Sequence, residues 1–172
     1  MGSRRAPLSG ARRVVVCGLL AGLLTASKAV MSPLPNIEPV SLLLMVYAAV
    51  LGREALYTAV TFVLLEGLIY GFGLWWFGYL YIWPVWALAA ARLSPQLPAP
   101  VLAAACGGFG LSFGLLESLP YLAGGPWAAV SHWTAGIPFD LAHCGGNFLL
   151  ALFLAKPLLR LLQRLTGRAL PR

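Results

Sequence analysis

Glu66, Glu117, Asp140, His143 and Asn147 stand inside otherwise apolar runs of the chain. Polar groups in such runs are costly to bury and are candidates for function by default. Asp140, His143 and Asn147 follow at i, i+3 and i+7, which puts them on one helix face. Asn36 and Glu38 come in a polar break near the start. The stretch "EGLIYGFGLWWFGYLYIWPVW", 66–86, carries Tyr70, Trp75, Trp76, Tyr79, Tyr81 and Trp83, and Trp133 follows later. A pocket for a small polar, partly aromatic ligand needs this chemistry: a few polar groups fix orientation and apolar walls supply contact area. Aromatic faces stack on a heterocycle or hold a cation. Each residue also has a plainer reading. Trp and Tyr suit the headgroup zone of a bilayer. Glu66 and Glu117 also fit a mutual structural pair, Asp140 and His143 a pair at a helix entrance, and Asn147 a link between helices.

The elements that would position these groups follow from composition. Of 172 residues, 60% are hydrophobic and only 10% charged, against about a quarter charged in soluble domains. Lipid is therefore the expected solvent, and spans must be helices or a closed barrel. The apolar runs are continuous rather than alternating, which selects helices. At about 20 residues per span, the expectation is an all-α polytopic membrane protein, a compact bundle of six transmembrane helices in one domain, 1–172. The predicted helices are 13–31, 38–52, 54–71, 79–93, 99–122 and 136–163, with kinks at Pro84 and Pro157 and with Pro138 near the start of the last. The second and fourth are short, which suits helices packed against protein. Residues 1–12 form a basic N-terminus and 164–172 a basic tail. The first apolar segment resembles a signal peptide in outline, but Lys28 makes a poor cleavage environment, so it is read as a retained span.

The net charge of +7 is unevenly placed. With six spans, Arg4, Arg5, Arg12, Arg13, Arg53, Arg92, Lys156, Arg160, Arg164, Arg168 and Arg172 all fall on one side, and only Lys28 on the other. The positive-inside rule then makes both termini cytoplasmic. This accounts for the basic balance without nucleic acid. It also gathers the polar and aromatic residues in the outward half. Cys17, Cys106 and Cys144 form no C-x-x-C pair and read as small buried apolar residues. No metal site and no cofactor are expected. His132 and His143 lie about 16 Å apart along a helix and cannot flank one haem.

Gly18, Gly22 and Ala26 recur at four-residue spacing on the first helix. Such a small-residue face admits another helix closely, either within the bundle or from a separate subunit. With this stripe, the size and the six helices, the chain resembles the substrate-binding S component of energy-coupling factor transporters, the vitamin and micronutrient importers of bacteria and archaea. The stretches "LPNIEPVSLLLMVYAAVLGREALYTAVTFVLLEGLIYGFG" and "GIPFDLAHCGGNFLLALFLAKPL" carry the local similarity. The resemblance implies a multi-pass protein of a prokaryotic cell membrane that binds a vitamin or related small organic micronutrient near its outer face. It implies partners: a transmembrane coupling subunit, docked on Gly18, Gly22 and Ala26, and two cytosolic ATPases that hydrolyse ATP. No G-x-x-x-x-G-K-[ST] loop occurs in this chain. The family's stripe is of alanines, and glycine stands here at two positions. The competing expectation is an intramembrane serine hydrolase of rhomboid-like type, with Ser112 and His143 as a dyad on adjacent helices.

Overall fold

The computed structural model describes residues 9–34 and 37–167. Those residues are almost wholly helical and contain no strand. The elements are α1 (Gly10–Met31), α2 (Val40–Leu51), a single 3-10 turn (Gly52–Glu54), α3 (Ala55–Tyr70), α4 (Leu74–Ala90), α5 (Ala99–Glu117), a 3-10 segment (Leu119–Gly124) and α6 (Pro126–Thr166). Four stretches are long and apolar enough to cross a membrane: Gly10–Met31, Val40–Tyr70, Ala99–Gly124 and Pro126–Thr166. The second of these is not one rod. Gly52 takes φ 66° and ψ −137°, a conformation glycine adopts without steric cost, and the chain reverses there.

Side-chain pairings fix the helix directions. Arg13 meets Glu54 at 3.4 Å at one end, and Lys28 pairs with Glu66 toward the other, so α1 and α3 run parallel. Asn147, which abuts Gly110 of α5, donates to the Ser41 hydroxyl (2.9 Å), while Cys106, one turn earlier on α5, touches Met45, one turn later on α2 (3.5 Å), so α2 runs against α5. The helices thus alternate in direction. Arg12, which donates to the Thr166 carbonyl (3.2 Å), and Lys156, which donates to the Pro95 carbonyl (3.0 Å), mark the basic end. Lys28 lies at the opposite end, as its place in the sequence requires.

All twelve residues of α2 are buried, which makes it the axis of the bundle. A helix apolar on every side is what such a position demands. Around it, α5 and α6 form the closest pair. Gly107, Gly110 and Gly114 turn toward α6, where an added Cβ at Gly110 would come 2.8 Å from the His143 carbonyl oxygen. Side chains there would force the helices apart, so the three glycines set their separation.

Three element boundaries differ from expectation. The fourth helix starts at Leu74 rather than 79, because the turn closes within Gly71, at φ 89°, and Gly73. Edge-to-face pairs at helical spacing, Phe72–Trp76 (4.9 Å) and Trp75–Tyr79 (5.0 Å), hold that first turn. The fifth helix stops at Glu117 and passes into the 3-10 segment instead of continuing to 122. The last helix starts at Pro126 rather than 136. Gly125, at φ 99°, and Pro126 form its start, so Pro138 lies in its interior, not near its entrance.

Candidate functional site

A segment with described residues 32–34 and 37–39 precedes α2, whose start lies well below the tips of its neighbours. The indole of Trp86, three turns into α4, donates to the Ser41 carbonyl (2.9 Å), which shows how deep α2 begins. The space above it is a cavity of about 470 Å³, within the range of small-molecule sites. Its walls come from every surrounding element. Lys28 and Met31 come from α1, Ser32, Leu34, Ile37 and Glu38 from the segment, and Tyr70 from α3. Trp75 and Tyr79 come from α4, Phe113 and Glu117 from α5, and His143 from α6.

An ionic knot holds one wall. Lys28 is paired with Glu66, which is fully buried, and donates to the Tyr79 hydroxyl at 3.3 Å. The ammonium also lies 5.5 Å from the Tyr70 ring centre and 5.1 Å from that of Tyr79, within cation–π range. Glu38 approaches His143 Nε2 at 3.8 Å, too far for a hydrogen bond. Loss of water raises the Glu38 carboxyl to about 7; Glu66 adds to the rise and Lys28 opposes it.

Aromatic rings continue downward from the mouth. Trp75 meets Tyr79 (5.0 Å), and Tyr79 meets Trp83 (5.6 Å) and Phe113 (6.1 Å). Phe113 in turn meets His143 (5.0 Å). These are edge-to-face contacts, the arrangement that ring quadrupoles favour. They make a rigid wall of ring edges and faces.

Of the residues expected at a site, Glu38, Tyr70, Trp75, Tyr79, Glu117 and His143 converge on this cavity. Two others support it: Glu66 holds Lys28, and Trp83, wholly buried, packs behind Tyr79 and Phe113. Glu66 and Glu117 do not pair with each other, since Glu66 is taken by Lys28 and neither Glu117 oxygen has a hydrogen-bond partner among the described residues. The remaining expectations sit elsewhere. Trp76 donates to the Val63 carbonyl (2.9 Å) and packs on α3. Tyr81 donates to the Leu116 carbonyl and faces a shallow groove with Leu74, Phe77, Leu119 and Pro120. Trp133 is on α6 and does not line the cavity.

Asp140, His143 and Asn147 share a buried face as their spacing predicts. Asp140 accepts from the Gly114 amide (2.8 Å) and joins α6 to α5 beside the cavity, and Asn147 binds Ser41 and joins α6 to α2 below it. Asn36 lies outside the described residues. Ser112 donates to the Phe109 carbonyl of its own helix (2.9 Å), and His143 Nε2 has no hydrogen-bond partner among the described residues.

Lys28, Phe113 and Ile37 line the cavity and were not expected there. Lys28 carried one signal: it is the single cation placed among the polar groups of the non-basic half.

Gly18, Gly22 and Ala26 face away from the bundle, and a Cβ on either glycine meets nothing within 4 Å. The inward face of α1 is instead Cys17, Ala21, Leu24 and Thr25. The stripe is therefore not packing inside this chain. Cys17 and Cys106 are buried as expected, and Cys144 is partly so. Comparison of the chain with protein-family models, characterised proteins and solved structures gave no match.

Proposed function

We propose that this chain is the substrate-binding subunit of an importer of the energy-coupling factor kind, capturing a small organic micronutrient, a vitamin or a relative of one. One observation carries the reading. At the end of the bundle opposite its described cations other than Lys28, a cavity of about 470 Å³ is walled by aromatic rings and by buried ionisable side chains. A purely structural bundle has no reason to hold Glu117 and His143 against an open space, because buried polar groups without partners are costly.

On this reading six segments cross the membrane and the basic end lies in the cytoplasm. The cavity then opens outward. The small-residue stripe of Gly18, Gly22 and Ala26 faces the lipid, where a coupling subunit docks by close helix approach. Two cytosolic ATPases on that subunit drive delivery. The bilayer is that of a prokaryotic cell.

The test is purification of the chain alone in mild detergent, followed by mass spectrometry of retained small molecules. A stoichiometric vitamin-like compound is expected, lost on Tyr79→Ala. A preparation that retains nothing and binds no member of a vitamin panel overturns the reading.

A further inference from the structure

The charges around the cavity are unequal. Lys28 is the cation that lines it, and it is already committed to Glu66 and the Tyr79 hydroxyl. Three carboxyls stand near it: Glu38, Glu66 and Glu117. Glu117 is only 8% exposed, lines the cavity, and has no hydrogen-bond partner on either oxygen among the described residues. Its neighbours cannot serve it. The Tyr81 hydroxyl is spent on the Leu116 carbonyl. From α4 it is Gly78 that abuts the carboxyl, leaving no room even for a Cβ on that side. Two idle carboxyl oxygens at this burial need donors, and the cavity is the side from which donors can come.

The aromatic side chains specify the rest of the ligand. Trp75, Tyr79 and Phe113 line the same space. Ring faces there favour a flat cation over an anion, because their negative quadrupole faces attract positive charge. His143 Nε2, also without a partner, supplies a second polar contact.

Resting on the reading of this cavity as the ligand site, we propose that the ligand is a flat ring bearing a forked, cationic nitrogen donor. An amidinium or a protonated, aminated nitrogen heterocycle meets this description. Its two N–H groups meet the two oxygens of Glu117, the planar match that makes forked donors bind carboxylates well. The ring lies among Trp75, Tyr79 and Phe113. An anionic ring would face two carboxyls, Glu38 and Glu117, and a lysine already paired with Glu66.

Three nearly isosteric probes test this on the purified chain by calorimetry at pH 8: benzamidinium, benzamide and benzoate. The expected order is benzamidinium first, benzamide second and benzoate last. Glu117→Gln weakens benzamidinium about tenfold, the size of one lost charge-assisted hydrogen bond, and weakens the neutral benzamide less. Benzoate binding as well as benzamidinium to the unaltered chain overturns the proposal and requires no variant. So does a Glu117→Gln protein that binds benzamidinium as before. Tyr79→Ala separates the two readings. If benzoate wins and Tyr79→Ala abolishes its binding, the cavity is the site and the cationic class is wrong. If no probe binds, or none responds to Tyr79→Ala, the cationic class falls, and the vitamin panel decides separately whether the cavity is a ligand site.

Discussion

Lys28 and Glu66, 38 residues apart, form an ion pair that ties α1 to α3 beside the cavity, with Glu66 fully buried. Such a pair is costly to break from one side only, because the other charge stays buried without compensation. Lys28→Met is expected to destabilise the chain by about 3 kcal/mol or more. The double change Lys28→Met with Glu66→Leu should recover much of the loss. Thermal unfolding in detergent, followed by size-exclusion chromatography, reads both. Equal stability of the single and double variants would contradict the pairing.

Gly108 and Gly110 are two residues apart on α5 and should respond in opposite directions. A methyl at Gly110 collides with the His143 backbone, which cannot turn aside. Gly110→Ala should cost about 1–3 kcal/mol, the range for overpacking. Gly108 faces open space. Gly108→Ala should gain about 0.5–1 kcal/mol, since it removes glycine's entropic cost in a helix. Thermal midpoints of the two variants check the contrast.

Gly22→Leu adds a side chain to the outer face of α1, where a Cβ meets no atom of this chain. Folding and ligand retention should be unchanged. Uptake with a coupling module should be abolished, because close helix approach requires the small surface. Uptake at the ordinary rate would remove the docking role of the stripe. Loss of ligand binding would place α1 in the working core.

Glu38 gives stability a pH dependence. Its carboxyl is raised to about 7, chiefly by loss of water, from the 4.5 of an exposed glutamate. Between those values the unfolded chain has released this proton and the folded chain still holds it. Stability therefore falls as pH rises from about 4.5 to about 7, and is flat in this respect above that. Thermal midpoints between pH 5 and pH 8 should show the decline in the unaltered chain and a shallower one in Glu38→Gln. Identical slopes would contradict the assignment.

Helical periodicity carried one part of the candidate site. The i, i+3, i+7 spacing of Asp140, His143 and Asn147 predicts a common face, and all three are buried. Which of them reaches the cavity was not legible, because that depends on the neighbouring helix. Gly114 brings α5 so close that Asp140 binds its amide, Asn147 turns to Ser41 of α2, and His143 lines the space above α2. The aromatic stretch divided for the same reason. Trp75 and Tyr79 share one side of α4 and line the cavity, whereas Trp76 turns to α3 and Tyr81 to α5.

By itself the sequence determined the helical character and the presence of runs apolar enough to cross a membrane, since a long uncharged apolar run satisfies its backbone polar groups internally as a helix. It also determined the segregation of charge, since cations at alternate turns of an up-and-down chain must gather at one end. Tertiary structure alone decided the partners. Lys28 reads in one dimension as a stray cation, and becomes a site residue because packing of α1 on α3 brings it to Glu66 and Tyr79. The cavity likewise exists because α2 starts deep, a depth set by Ser41 meeting Trp86 and Asn147. Contacts between helices depend on their rotation and offset, which thousands of weak packing contacts settle together and no local spacing encodes.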